Sequence, residues 1–91
     1  MDPATIVDLG IFCETVMQHP SFGLVCAEFE KTTCAQMLST KPSQSKDREE
    51  IFATFNGAQT FIAFMADFAV QKNKLVNEVL SEEPDDIDEI L

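Results

Sequence analysis

The sequence predicts an all-α protein, either an antiparallel helical hairpin or a small three-helix bundle with one long C-terminal helix. Three observations support this prediction. Apolar residues recur at steps of three and four along three segments, which is the period of an α-helix. No segment shows the sustained apolar–polar alternation of a half-buried strand. Finally, 45% of the 91 residues are hydrophobic, which is enough for a folded chain.

The first helix is predicted over residues 3–18. Asp2 can accept hydrogen bonds from the free amides of the first turn, and Pro3 suits the first helical position because its missing N–H is not needed there. His19 precedes Pro20, and a residue before proline is disfavoured in the helical region, so the helix is predicted to end there. We interpret His19 as a turn residue or local cap. The apolar face consists of Ile6, Leu9, Cys13 and Val16.

The second helix is predicted over residues 22–39, with Ser21 as its N-cap. A loop follows over residues 39–46, because this stretch is rich in turn-forming residues and has no apolar residue except Pro42. The apolar face of this helix consists of Phe22, Cys26, Phe29, Thr33 and Met37, with Val25 beside it.

The third helix is predicted over residues 47–82, and it carries a heptad-like apolar seam with one polar interruption at Lys72. Asn56-Gly57 is the point where this helix can kink or divide. A divided helix would give a compact bundle, whereas a continuous one favours the hairpin, with the first two helices packed along it. The seam consists of Ile51, Phe55, Ala58, Ile62, Met65, Ala69, Lys72, Val76 and Val79, and it is widened by Phe61, Phe64, Phe68 and Leu75.

The charge distribution divides the chain into a helical domain, residues 1–81, and an acidic flexible tail, residues 82–91. The tail holds six of the sixteen acidic residues and no base, so the ten acids and six bases of the domain leave it at −4. The tail also has an apolar edge at spacing i, i+3, i+4, formed by Ile87, Ile90 and Leu91. Such an edge can dock in a partner's groove, although an inert solubilising tail is an equal alternative.

The sequence predicts no catalytic, cofactor-binding or metal site, and hence no enzyme. The three cysteines form no CxxC pair and are interpreted as free, buried structural thiols. The three glycines are isolated, so there is no phosphate-binding loop, and Asp67 is interpreted as a solvated residue. The net charge of −10 argues against direct binding of nucleic acid. No apolar run approaches the roughly 20 residues that span a bilayer, so no membrane span is expected. The N-terminal segment MDPATIVDLG lacks the basic start of a secretory signal, so no such signal is expected.

Eight phenylalanines in so small a helical protein predict self-association, because few helices are present to cover them. The leading hypothesis is a non-enzymatic, oligomeric structural or assembly factor, acting through a second copy or another protein partner. The alternative is a small acidic inhibitor that occupies the basic groove of a nucleic-acid-binding protein as a DNA mimic. The predicted interface consists of Phe55, Ile62, Met65, Phe68, Ile87, Ile90 and Leu91.

One pattern covers residues 19–80: HPSF (19–22) and EFE (28–30), then a polar loop, then KDREE (46–50) and a long apolar helix. This outline resembles the small helical-hairpin proteins that tailed bacteriophages encode near their head and DNA-packaging genes. The resemblance implies a role in the virion or in its assembly, with the protein in the cytoplasm or in the virion. It carries over no catalytic residues.

Overall fold

The computed structural model describes the backbone of residues 1–90 and the side chains of residues 1–81. Across the described backbone the chain forms three helices and no strand: α1 (Pro3–Gln18), α2 (Pro20–Leu38) and α3 (Ser45–Ile90). Helices account for 89% of the protein. The predicted all-α class and the long C-terminal helix are therefore confirmed.

Helix α1 has the bounds that the sequence predicts. Asp2 caps it, because its carboxylate accepts hydrogen bonds from the Thr5 N–H at 3.0 Å and from the Thr5 hydroxyl at 3.3 Å. Pro3 is the first helical residue. The predicted apolar face is also confirmed, since Ile6, Leu9 and Val16 are half-buried and Cys13 is buried.

Helix α2 begins at Pro20, so the prediction that Ser21 caps it is wrong. The N-cap is His19, whose backbone is extended (φ −68°, ψ 131°) and whose Nδ1 accepts a hydrogen bond from the Ser21 N–H at 3.0 Å. Proline is favourable at the first helical position, so Pro20 starts this helix as well as ending the one before. His19 is a local cap, as predicted. On the predicted face, Phe29 is 38% exposed, whereas Thr33 is buried and Phe22, Cys26 and Met37 are half-buried.

Helix α3 spans Ser45–Ile90, against a predicted range of 47–82, and it passes through Asn56-Gly57 without a break. The preceding loop is held by the Arg48 guanidinium, which donates to the carbonyl oxygens of Lys41 at 2.6 Å and Pro42 at 3.3 Å. The predicted flexible tail and its apolar edge fall on residues 82–91, whose side chains lie outside the described residues, so both stay predictions.

The chain divides into two compact units that share α3. The α1 unit contains Met1–Val16 and α3 from Phe64 onward, and the α2 unit contains Met17–Ala63. In each unit, the N-terminal part of the shorter helix lies beside a part of α3 that is further along the chain than the part beside its C-terminal half. The two helices of each unit are therefore antiparallel. In the α2 unit, Phe29 contacts Phe55 whereas Gln36 shares a groove with Asp47. In the α1 unit, Gly10 approaches Phe68 whereas Pro3 shares a groove with Leu80.

Candidate interaction site

The predicted apolar seam of α3 faces the paired helices over most of its length. Its positions from Ile51 to Ala69 are half-buried, and so is the polar interruption, Lys72. Val76 and Val79, the last two seam positions, are exposed to 38% and 61%. They line a groove with Pro3, Ala4 and Val7, and the small side chains at the start of α1 leave them uncovered.

The half-buried position of Lys72 on an apolar seam is explained by its partners in the α1 unit. Its ammonium group forms an ion pair with the Glu14 carboxylate, and the two side chains are 15% and 32% exposed. The aliphatic stem of Lys72 lies against Gly10 of α1. A Cβ at Gly10 would lie 2.6 Å from the Phe68 carbonyl oxygen and closer still to the Lys72 Cβ. The helices therefore cross too closely at Gly10 for any larger residue.

The four described residues of the predicted interface are half-buried inside the units. Phe55 stacks on Phe29, with ring centroids 6.3 Å apart and an interplanar angle of 4°. Phe68 meets Phe64 edge to face, with centroids 5.2 Å apart. Ile62 and Met65 are half-buried on the seam. The remaining predicted residues, Ile87, Ile90 and Leu91, lie outside the described side chains.

Other phenylalanines form the exposed apolar surface. In the α1 unit, Phe12 and Phe64 are 62% and 58% exposed, and in the α2 unit, Phe52 and Phe61 are 55% and 62% exposed. The three on α3, Phe52, Phe61 and Phe64, each lie one residue from a seam position. A phenylalanine next to the seam is thus the sequence signal that identifies an exposed ring. No side chain among residues 1–81 combines large size with full burial.

The α2 unit has two open grooves between its helices. One is lined by polar groups together with Phe29 and Ile51, and it includes both Asp47 and Glu50. The other has a volume of about 450 Å³ and is mostly apolar. We call it the apolar groove; it is lined by Glu30, Thr33, Cys34, Met37, Leu38, Phe52 and Phe55.

The reactive side chains do not converge in the described part of the chain. Cys13, Cys26 and Cys34 are free thiols and are respectively buried, half-buried and exposed, so the prediction of buried thiols is confirmed for Cys13 and wrong for Cys34. Asp67 is exposed, as predicted, and accepts a hydrogen bond from the Gln71 side-chain amide at 2.6 Å. Over the same residues, no three His, Cys, Asp or Glu side chains are grouped to hold a metal ion.

No protein-family model, curated protein or solved structure matches this chain. None of the helices, as far as they are described, has the length and apolarity needed to cross a membrane. The function is therefore inferred from the distribution of apolar and charged side chains within each of the two units.

Proposed function

We propose that this chain is a non-enzymatic helical interaction protein that works by self-association, as an oligomeric structural or assembly factor. The observation that carries the proposal is the exposure of Phe12, Phe52, Phe61 and Phe64 to more than half. A phenylalanine side chain buries about 150–250 Å² in a core, so each of these leaves on the order of 100 Å² of apolar surface in water.

The architecture of each unit supports this proposal. A pair of helices can cover one face of each helix, whereas a bundle of four surrounds a closed core. The broad apolar face of α3 exceeds what one partner helix covers, and large exposed apolar patches usually mark interfaces. A second copy of the chain offers apolar surface of the same kind and would cover the exposed phenylalanines.

The placement of the ionisable groups also supports a role without catalysis. His19 is engaged as a helix cap, and Lys72 and Glu14 pair with each other at the α1–α3 crossing. Each has a structural task, and an enzyme needs such groups to converge on a substrate. The resemblance of residues 19–80 to bacteriophage hairpin proteins favours assembly of a virion, in the host cytoplasm or in the virion itself.

Sedimentation velocity of the full chain over a range of concentrations tests the proposal. We expect a mass above the 10.1 kDa of one chain, and little change with salt, because apolar contacts are not screened. Replacing Phe12, Phe61 and Phe64 together by Ser should shift the protein towards the monomer with helix content unchanged. A matched control replaces the exposed polar residues Gln59, Thr60 and Asn73 by Ser. A full chain that stays monomeric at high concentration would overturn the proposal.

The DNA-mimic alternative predicts a different result. In residues 1–81 ten acids are mixed with six bases, which supports association over mimicry, because a mimic requires an uninterrupted acidic face. Binding of the protein to a panel of basic nucleic-acid-binding proteins, at low and high salt, separates the two functions. Tight binding that high salt abolishes would replace self-association with inhibition.

A further inference from the structure

We propose that the α1 unit dimerises with the α1 unit of a second copy, through one uncharged apolar face and with two-fold symmetry. The inference rests on the proposed self-association and assigns it to one side of one unit. We call this side the phenylalanine face; it consists of Leu9, Phe12 and Val16 of α1 and of Phe64 and Phe68 of α3.

On α1, the phenylalanine face lies beside the residues that pack against α3. Gly10 and Cys13 are the two buried residues of this helix, and Gly10 meets the α3 backbone directly. Leu9 and Phe12 each come one position before a buried residue, and Val16 follows Phe12 by one helical turn. Because successive residues of a helix are about 100° apart, these three side chains project to one flank of the contact.

On α3, the same offset applies. Phe64 and Phe68 each come one position before a half-buried seam residue, Met65 and Ala69 respectively. The two helices of the unit are antiparallel, and an antiparallel pair has a local two-fold axis perpendicular to the plane of the helix axes. Such an axis relates each side of the pair to itself. An equal offset on α1 and α3 therefore places the side chains on the same side of the unit.

The phenylalanine face exposes two aromatic rings and carries no charge. Phe12 and Phe64 are 62% and 58% exposed. Phe68 is half-buried and meets Phe64 edge to face. The next positions with the same offset, Thr5 and Gln71, are polar but uncharged. Two open rings in an uncharged surrounding are typical of the centre of a protein interface.

The opposite side of the α1 unit has a mixed character. Ile11 and Val70, each one position after a contact residue, are exposed to 50% and 62%. The same side also includes Glu14, which forms the ion pair with Lys72, and the exposed polar residue Asn73. An apolar partner would have to remove these polar groups from water, so the phenylalanine face is the better surface for association.

The area of the phenylalanine face is sufficient for a dimer. A phenylalanine can bury about 150–250 Å², so the two exposed rings and the three half-buried side chains leave roughly 300 Å² of apolar surface uncovered in each copy. Two copies would cover about 600 Å² of apolar surface, and interfaces are about 60% apolar, so the whole contact would bury about 1,000 Å². A specific interface needs about this much.

A second copy matches this face in size and polarity. The five residues offer no charge or hydrogen bond that would select a partner of another kind. The chain has a net charge of −10, so two copies approach each other most easily where neither presents a carboxylate. Two antiparallel helix pairs stacked in this way form a four-helix bundle with the rings in its core. A surface that pairs with itself makes an isologous contact, which closes at two copies.

The experiment compares three full-length variants with the natural chain by sedimentation equilibrium. Phe12→Ser/Phe64→Ser removes both exposed rings of the phenylalanine face. Ile11→Ser/Val70→Ser is the matched control, because it removes two exposed apolar side chains of the same two helices from the opposite side. Phe52→Ser removes an exposed ring of the α2 unit. Circular dichroism confirms that each variant is folded.

We expect the natural chain to reach twice the mass of one chain and to grow no further. Phe12→Ser/Phe64→Ser should raise the dissociation constant of the dimer at least about tenfold, because aromatic rings at the centre of an interface carry much of its binding energy. Phe12→Ser and Phe64→Ser measured singly should each weaken the dimer. Both other variants should associate like the natural chain.

Four results would overturn the inference. Natural association of the folded Phe12→Ser/Phe64→Ser variant would place the contact elsewhere, and self-association itself would stand. An equal loss in the matched control, or a larger loss in Phe52→Ser, would exclude a contact confined to the phenylalanine face. A natural chain that grows beyond two copies with concentration would exclude a closed two-fold contact. A natural chain that stays monomeric would overturn the proposed function as well.

Discussion

The two units use the same helix in different ways. In the α1 unit, Gly10 lets α1 approach α3 until its Cα lies against the Lys72 stem, and an ion pair is enclosed beside it. In the α2 unit, the helices meet through the Phe29–Phe55 stack, and each ring lines an open groove, whereas the open groove of the α1 unit lies at the start of α1. Since the seam of α3 has one spacing throughout, α1 and α2 cause the difference. A missing side chain permits the close approach at Gly10, whereas in the α2 unit the contact is made by two aromatic rings.

The largest expected effect tests the close crossing. Gly10→Ala should lower the free energy of unfolding by about 1–3 kcal/mol, because the added methyl clashes with the Phe68 carbonyl oxygen and the helix backbone must shift to relieve the clash. Gly57→Ala has nothing within 4 Å and should raise it by up to about 1 kcal/mol. Urea denaturation followed by circular dichroism measures both. Equal effects of the two substitutions would show that the crossing is loose.

The aromatic stack in the α2 unit gives the next effect. Phe55→Ala should cost about 2 kcal/mol, less than for a fully buried phenylalanine, because Phe55 is half-buried and its partner Phe29 is 38% exposed. A double-mutant cycle with Phe29→Ala should give a coupling energy of about 0.5–1.5 kcal/mol. Phe52→Ala, which removes an exposed ring of the same helix, is the control and should cost clearly less. Zero coupling would mean that the rings do not stabilise this unit.

The ion pair in the α1 unit should give a smaller effect. Glu14→Gln leaves the half-buried Lys72 ammonium without its counter-charge and should cost about 1 kcal/mol. Adding Lys72→Met continues the apolar seam and should recover that loss or exceed it. Thermal unfolding of both single variants and the double variant measures this. A double variant no more stable than Glu14→Gln alone would contradict this account of Lys72.

The helix caps should give effects no larger than that of the ion pair. Asp2→Ala removes two acceptor contacts to Thr5 and should cost about 1 kcal/mol, whereas His19→Ala removes a single one to the Ser21 N–H and should cost about 0.5 kcal/mol. Hydrogen exchange at the first turns of α1 and α2 reports each cap locally. Faster exchange in α1 alone after Asp2→Ala, and in α2 alone after His19→Ala, is expected. A global loss of protection in either case would mean that the residue does more than cap.

Local features of this protein were predictable from its sequence. The all-α class, the bounds of α1, the Asp2 cap and the seam from Ile51 to Lys72 depend on residue spacing and on groups within one turn of each other. The sequence misplaces the start of α2 because Ser21 and His19 can both cap a helix, and the choice between them depends on the backbone dihedrals next to Pro20. Spacing determines which face of a helix is apolar.

The tertiary structure decided which apolar faces are covered and by what. The seam pattern marks Lys72 as an anomaly, but Glu14 and Gly10 lie more than fifty residues away in sequence, and only the crossing of α1 and α3 brings the three together. Phe55 and Phe52 are three residues apart and chemically identical, yet one is stacked on Phe29 and the other is exposed. Burial depends on the partner helix, and helical periodicity contains no information about the shape of that partner.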